Sequence, residues 1–250
     1  MTIPIDISEE SGIRYLHFGS EWVQGAMRIR KPDALELDYT REMMAGLLLR
    51  DAAWPKRVLL IGLGAGSLAK FIHRHLPEAH STVVEIAPEV HAVARQFFKL
   101  PDEDERLQIV IGDGADFVTQ DARQWDLIAV DGFDRHARAG ALATQPFYEA
   151  CRARLSDRGL LAVNLFGQLR GFKTQVQRLG KAFEGRVLAL PELESGNVVA
   201  FGAVGEPVES NLAELRVRAA SLKAATGLDL TPTLRRLEKS GVLPDGRLAF

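Results

Sequence analysis

Cysteine is almost absent from this chain of 250 residues. The one cysteine, Cys151, cannot form a disulfide within the chain, and a single thiol excludes a cysteine-based zinc site. An excess of charge is also missing, because 31 lysines and arginines face 33 aspartates and glutamates and leave a formal net charge of −2. Nucleic acids and anionic membrane surfaces are bound through basic patches. We therefore expect neither kind of partner.

Long hydrophobic runs are absent too. The longest apolar stretch, residues 58–69, is interrupted by glycines and is too short to span a bilayer. The N-terminal segment is acidic and lacks the hydrophobic core of a signal peptide. Together with the single cysteine, these features predict a cytoplasmic protein. The length and the hydrophobic content of 46% are sufficient for one large domain, with or without a small appendage.

Three regions of the chain differ in their residue patterns. Residues 1–54 begin with alternating apolar and polar segments, which predict a small N-terminal β-ribbon and a linking helix. Residues 55–205 alternate short apolar runs with helical segments and predict one α/β domain. Residues 206–250 predict a C-terminal helical extension, because 210–239 has the pattern of two helices with polar faces.

The middle region has the pattern of an open sheet with helices on both faces. Its first apolar run, residues 58–61, is closed by glycines, which is typical of a strand buried on both faces of a parallel sheet. The last two strands, 187–190 and 198–203, are separated by a segment too short for a helix, so we expect them to be antiparallel. The predicted fold class is α/β, a mostly parallel sheet with an antiparallel final strand. The other predicted strands are 82–86, 107–111, 127–130 and 160–165.

A glycine-rich loop follows the first of these strands and opens a helix. Glycines are needed where the backbone turns sharply or approaches a ligand without a Cβ in between. The dinucleotide fingerprint has Gly or Ala at the position that Ser67 occupies here. The pattern Gly62-x-Gly64-x-Gly66 therefore suits a nucleoside that has no pyrophosphate, and it makes residues 55–205 a predicted Rossmann-like nucleoside-binding domain.

Carboxylates follow the next three strands. Glu85 lies 19 residues after Gly66, where an acidic residue binds ribose hydroxyls in nucleotide-binding folds. Asp113, followed by Gly114, ends the third strand and is a candidate acceptor for an adenine amino group. Asp131 ends the fourth, and for any one of these residues a helix cap or a turn is the alternative explanation. Because parallel strands end at the same edge of a sheet, the four strand ends together predict a site for an adenosine-like ligand.

Five segments of the chain resemble the spermidine synthase family, the polyamine aminopropyltransferases. The resemblance implies a Rossmann-like S-adenosylmethionine-dependent transferase fold, a small N-terminal β-domain and often a homodimer. In that family, decarboxylated S-adenosylmethionine donates an aminopropyl group to a polyamine amine, so the resemblance also implies polyamine biosynthesis. The segments that carry it are 58–62, 84–86, 111–115, 130–134 and 147–149.

The resemblance implies roles for individual residues. Glu85 would hold the ribose of the donor, Asp113 its adenine, and Gln24 would lie near the donor. Asp131 would be the carboxylate that faces the attacking amine, with Asp134 nearby. The donor would be S-adenosylmethionine or its decarboxylated form. We expect no metal, because the spacing of the histidines does not bring them together with carboxylates.

One position of the glycine loop departs from the family. The family has an aspartate there, which attracts the ammonium of the decarboxylated donor and repels the carboxylate of ordinary S-adenosylmethionine. Ala65 occupies this position and removes both effects. The loop then resembles that of a common methyltransferase.

The acceptor side departs further from the family. Arg41 lies where the family has a Tyr-Gln pair, and Arg135 and Arg138 lie where it has a proline-rich segment. Guanidinium groups suit a carboxylate or a phosphate and disfavour a polycationic amine. If these three arginines bind the acceptor, it is an anionic metabolite; otherwise, an amine is expected.

Three functions are open from the sequence. A methyltransferase built on the spermidine synthase fold is slightly favoured by Ala65. A polyamine aminopropyltransferase with altered acceptor specificity is favoured by Asp131, Asp134 and Gln24. A non-catalytic protein that binds an adenosine ligand is the third, since the acceptor pocket departs so far from the family. The pair of carboxylates favours an enzyme.

Overall fold

The computed structural model describes residues 4–133, 138–167 and 171–250. The chain begins with an antiparallel sheet of three strands, β1 (Asp6–Glu10), β2 (Ile13–His17) and β3 (Val23–Arg28), which pair in that order. This sheet confirms the predicted N-terminal β segment. Helix α1 (Asp38–Met43) and a 3-10 helix, Met44–Leu48, then lead into the central sheet.

Seven strands form the central sheet within the described ranges: β4 (Arg57–Ile61), β5 (His80–Glu85), β6 (Leu107–Ile111), β7 (Trp125–Val130), β8 (Leu155–Phe166), β9 (Val187–Ala189) and β10 (Asn197–Ala203). Their order is β6-β5-β4-β7-β8-β10-β9. The first five strands of this order pair in parallel, whereas β10 is antiparallel to both of its neighbours. The predicted fold class is confirmed, including the antiparallel final strand.

Helices cover both faces of this sheet, because its central strands are apolar on both sides. In β4, Val58 and Leu60 belong to one hydrophobic core, and Leu59 and Ile61 belong to the other. Helices α2 (Ser67–His75) and α3 (Pro88–Phe97) pack into the first core. The second core is covered by α4 (Gly114–Gln120), α5 (Gln145–Ala153), which contains the buried Cys151, and α6 (Phe172–Ala182).

The C-terminal part contains the two predicted helices, α7 (Leu212–Thr226) and α8 (Thr231–Lys239). Strands β11 (Glu209–Asn211) and β12 (Arg247–Ala249) pair with each other, and this pair was not predicted, because three residues are too few for a periodic pattern. Arg236 of α8 forms an ion pair with the buried Glu42 of α1. In the ranges that the structure describes, no helix is long and apolar enough to cross a membrane. The domain limits at residues 54 and 205 stay a prediction.

Candidate functional site

A cleft of about 690 Å³ opens at the carboxyl ends of the parallel strands. Chain order reverses between β4 and β7, and open α/β sheets bind ligands at such a position. The glycine loop after β4 and Asp131 after β7 are neighbours there, since the Asp131 backbone N–H donates to the Ile61 carbonyl over 2.8 Å. Residues of β3 and of the segment before α1 also line this cleft.

The three glycines of the loop have left-handed φ angles, 97° at Gly62, 51° at Gly64 and 68° at Gly66. Side chains other than glycine rarely adopt this conformation. Gly62 and Gly64 line the cleft. Gly66 does not line the cleft, and a Cβ there would lie 2.8 Å from a methyl group of Leu100, so packing also favours glycine at this position. A role of Gly66 in ligand binding stays a prediction.

Glu85 links the glycine loop to the start of α3. Its carboxylate accepts hydrogen bonds from the backbone N–H groups of Leu63 and Ala87, each over 2.9 Å. Burial raises the pKa of Glu85, and the backbone donors act in the opposite direction. The carboxylate is thus held in a fixed orientation in the cleft lining, and its role in ribose binding stays a prediction.

Replacing this carboxylate tests that role. We expect Glu85→Ala to weaken binding of an adenosine-containing donor about 5- to 150-fold, because buried ribose hydroxyls without a partner cost about 1–3 kcal/mol. The measurement is calorimetric titration, with the thermal midpoint Tm as the control for folding. Unchanged affinity in a folded variant would contradict the ribose assignment.

Asp113 and Gly114 lie at the N-terminus of α4 and line the same cleft. The Asp113 Oδ1 accepts hydrogen bonds from the backbone N–H groups of Ala115 at 2.7 Å and Asp116 at 3.1 Å. Asp113 therefore does cap α4, as the alternative explanation from the sequence proposed, and the cap uses one oxygen of its carboxylate. A Cβ at Gly114 would lie 2.4 Å from Cγ2 of Ile61, so this position requires glycine for packing.

Strand β3 lies directly against the glycine loop. A Cβ at Gly25 would lie 2.6 Å from Cβ of Ala65, and a Cβ at Gly64 would lie 3.0 Å from the Gln24 carbonyl oxygen. Gln24 and Ala65 both line the cleft, and Ala65 is only 2% exposed. The N-terminal sheet therefore closes one side of the predicted donor site.

Asp131 is held by two neutral donors. The Asn164 amide donates to its Oδ1 over 2.9 Å, and the Tyr39 hydroxyl also donates to the carboxylate. Burial raises the pKa of Asp131, and these two hydrogen bonds lower it. Burial and the adjacent Asp131 charge raise the pKa of Tyr39 well above its ordinary value, so this hydroxyl keeps its proton.

Our sequence reasoning missed Tyr39 and Asn164. A signal for Tyr39 was available. Thr40 and Arg41 lie where the family has Tyr-Gln, and Tyr39 immediately precedes them. An alignment shifted by one residue would have matched Tyr39 to the family's tyrosine. No local signal marks Asn164, which reaches Asp131 from β8 through strand pairing.

Of the predicted arginines that the structure describes, Arg138 lines the cleft and Arg41 does not. The Arg41 guanidinium donates to the Leu35 and Glu36 carbonyls, each over 2.7 Å, and to the Asp38 carboxylate over 2.6 Å. These bonds engage all three guanidinium nitrogens, and Arg41 is not among the residues that line the cleft. Its binding of substrate stays a prediction. The predicted residues Asp134 and Arg135 lie outside the described residues.

Aromatic rings occupy another part of the lining. Trp22, which is 58% exposed, packs edge to face against Phe166, with the ring centroids 6.1 Å apart. Phe133 also packs against Phe166, with the ring centroids 4.9 Å apart. Ring faces attract cations and also pack against alkyl chains. The sequence reasoning did not find this cluster.

The cleft is acidic. Five carboxylates and one guanidinium, that of Arg138, are found among its lining residues in the described part of the chain. Two of the carboxylates are paired with arginines, Glu36 with Arg28 and Asp38 with Arg41. The other three are Glu85, Asp113 and Asp131. Such a site attracts cations. No group of three metal-ligating side chains occurs within residues 4–133, 138–167 and 171–250.

The fold is the Rossmann-like fold of S-adenosylmethionine-dependent transferases. Residues 37–186 match the model of the spermine/spermidine synthase domain. A polyamine aminopropyltransferase from Neisseria meningitidis serogroup A is 41% identical over 236 residues, which are 94% of this chain and 89% of that protein. The chain belongs to the spermine/spermidine synthase family.

Solved structures agree on the fold. A probable spermidine synthase from Corynebacterium glutamicum matches with a TM-score of 0.73 at 21% identity, over 90% of this chain and 91% of that one. Human methyltransferase-like protein 13 in complex with SAH matches with a TM-score of 0.65 at 26% identity, over 80% of this chain and 93% of that one. The family assignment favours aminopropyl transfer and corrects the sequence-based preference for methyl transfer.

Proposed function

We propose that this protein is a polyamine aminopropyltransferase that uses decarboxylated S-adenosylmethionine as donor and a polyamine amine as acceptor. The observation that carries the proposal is the acidic cleft, whose described lining holds five carboxylates, two of them paired with arginines, and the single guanidinium of Arg138. Both proposed substrates are cations, and an anionic acceptor would be repelled. The 41% identity to a polyamine aminopropyltransferase supports the same activity.

The donor side uses the predicted adenosine contacts. The left-handed glycines let the loop backbone approach the nucleoside, Glu85 accepts from the ribose hydroxyls, and Asp113 accepts from the adenine amino group. Gln24 closes the site from β3. In the proposed complex the adenosine of the donor lies along the strand ends, and the sulfonium of the donor faces Asp131.

The acceptor side uses Asp131. The attacking amine must lose a proton, and with a pKa near 10.4 this costs about 4–5 kcal/mol at pH 7. Burial raises the pKa of Asp131 and makes it a better proton acceptor, while Tyr39 and Asn164 hold its orientation. Since both donors are neutral, they leave the charge of the carboxylate available to a cationic amine.

The transfer is an in-line displacement. The nitrogen lone pair attacks the propyl carbon attached to sulfur, so a C–N bond forms and the C–S bond breaks with its electron pair passing to sulfur. The sulfonium becomes the neutral thioether of methylthioadenosine, and the amine proton passes to Asp131. Alignment of the nitrogen, the propyl carbon and the sulfur supplies most of the rate acceleration, because the reaction within the complex replaces a bimolecular encounter. The cluster of Trp22, Phe133 and Phe166 offers ring faces to the cationic and alkyl parts of the substrates.

Methyl transfer from S-adenosylmethionine is the second candidate, and Ala65 is the observation that favours it. With no aspartate at this position, the loop lacks one repulsion of the donor carboxylate. The cytoplasmic location and the homodimer stay predictions under either function.

Calorimetric titration of three ligands side by side tests the proposal: S-adenosylmethionine, its decarboxylated form and methylthioadenosine. We expect the decarboxylated donor to bind at least about tenfold tighter than S-adenosylmethionine, because it brings no carboxylate into the acidic cleft. Aminopropyl transfer to a panel of amines then follows by chromatography of the products. Tighter binding of S-adenosylmethionine would favour methyl transfer, and failure of all three ligands to bind would overturn the adenosine site.

A change at Ala65 tests how the donor is selected. We expect Ala65→Asp to increase the preference for the decarboxylated donor by about tenfold, because the new carboxylate attracts its ammonium and repels the carboxylate of S-adenosylmethionine. Ala65→Asn is the matched control, since it has the same size and meets the same crowding beside Gly25 without the charge. Equal preferences in the two variants would contradict the electrostatic argument.

A further inference from the structure

We infer that Ser195, Asn197 and Asn164 are positioning residues, which form a directional chain of hydrogen bonds ending on Asp131 and hold its carboxylate as a proton acceptor. The inference rests on the proposed function, because it assigns a role within that reaction. It extends the acceptor site to residues of β10 and of the turn that precedes β10.

The chain of bonds is continuous. Ser195 Oγ donates to Asn197 Oδ1 over 2.7 Å, and Asn197 Nδ2 donates to Asn164 Oδ1 over 2.9 Å. Asn164 Nδ2 then donates to Asp131 Oδ1 over 2.9 Å. Asn164 is 4% exposed and Asn197 is 5% exposed, and all four residues line the cleft. The pairing of β8 with β7 on one side and with β10 on the other brings them together.

The direction of every bond follows from the charge at its end. An ionised carboxylate can only accept, so Asn164 must present its NH2 group to Asp131 and its carbonyl oxygen to the other side. Asn197 must then present its own NH2 group, and its carbonyl oxygen faces Ser195, which donates. If one amide were reversed, two acceptors would face each other in a buried position, which is costly. The ionised carboxylate therefore sets the orientation of both amides, and the serine hydroxyl three bonds away supplies the donor that the last amide oxygen requires.

The three residues that donate along this chain of hydrogen bonds, Ser195, Asn197 and Asn164, are all uncharged. The amides stabilise the ionised Asp131 without neutralising it, so they leave the carboxylate charge to attract a cationic amine. Tyr39 of α1 is the titratable group that contacts the carboxylate from the other direction. Burial raises the pKa of Asp131 and the donated hydrogen bonds lower it, so removal of donors is expected to raise it further. The other charged residues in the described lining are Glu36, Asp38, Glu85, Asp113 and Arg138.

The test is the pH profile of kcat for aminopropyl transfer, which packing alone would not move. Asn197→Leu keeps the branched shape but donates nothing to Asn164. We expect the acid limb of the profile to move upward by about half a pH unit to one unit, so that kcat on that limb falls about three- to tenfold. The KM for the donor is expected to change less than threefold, because the donor contacts are elsewhere.

A double-mutant cycle separates the chain from a general packing effect. In the Asn164→Leu background the connection to Asp131 is already broken, so Asn197→Leu is expected to move the acid limb no further. Ser195→Ala, at the exposed end of the chain of hydrogen bonds, is expected to give a smaller shift. Ser195→Thr keeps the hydroxyl, so its acid limb is expected to lie close to that of the unmodified protein. Asn211→Leu is the matched control, since Asn211 caps α7 outside the cleft.

Two outcomes would overturn the inference. One is an unmoved acid limb in folded Asn197→Leu together with an unmoved limb in Ser195→Ala, and the other is an equal shift by Asn197→Leu in both backgrounds. A different result marks failure of the proposed function: the unmodified protein would bind no decarboxylated donor or transfer no aminopropyl group to any amine. The two failures are therefore distinguishable.

Discussion

Asp131→Asn is expected to lower kcat for aminopropyl transfer by about 100- to 10,000-fold, the usual contribution of a general base. The amide keeps the size of the side chain but cannot take the proton of the attacking amine. It also removes the negative charge that the neutral partners Tyr39 and Asn164 leave uncompensated. Affinity for the donor nucleoside should change only a few-fold, so single-turnover kinetics and calorimetry together provide the measurement.

The pH dependence gives this prediction a second measurement. A general base works in its ionised form, and burial raises the pKa of Asp131 above its ordinary value. Activity of the unmodified protein should therefore fall as the pH drops through this raised pKa. Asp116→Asn is the matched control, because this exposed aspartate lies on α4 outside the cleft lining. An Asp131→Asn variant with unchanged kcat would remove Asp131 from the reaction.

The strand ends were predictable from the sequence because parallel strands obey a simple rule. Each apolar run ends in a glycine loop or a carboxylate, and all parallel strands end at the same edge of the sheet. The sequence therefore predicts one cleft for Gly62, Glu85, Asp113 and Asp131, and the structure places all four in its lining. The order of the strands was not needed for this step.

The surroundings of Asp131 were not predictable, because they depend on contacts between distant parts of the chain. Asn164 and Asn197 meet only because β10 inserts between β8 and β9, and a pairing register carries no local sequence signal. Arg41 shows the same dependence on its surroundings. Its charge predicts a substrate contact, whereas in the structure its guanidinium donates to nearby backbone carbonyls. Residue type alone does not give the direction of a long side chain.

Gly62→Ala is expected to damage both halves of the site at once. Gly62 has a φ of 97°, and a Cβ there would lie 2.1 Å from the Asp131 carbonyl oxygen. The left-handed conformation and the overlap together are expected to cost about 2–6 kcal/mol of folding free energy. For a chain of this size, such a loss lowers the Tm by roughly 10 °C.

The same substitution should reduce kcat/KM by about 100-fold or more in the protein that still folds, because the loop and Asp131 must move apart and reacting groups tolerate displacements of less than about 1 Å.

Gly112→Ala is the matched control, since Gly112 also follows a strand of this sheet but nothing lies within 4 Å of its added Cβ. We expect it to change stability by less than about 1 kcal/mol. Thermal unfolding and steady-state kinetics of the two variants measure the difference. If both kept the stability and activity of the unmodified protein, close contact between the glycine loop and Asp131 would not be required. A loss confined to Gly62→Ala would establish that donor loop and proton acceptor are built as one unit, joined where two neighbouring strands end.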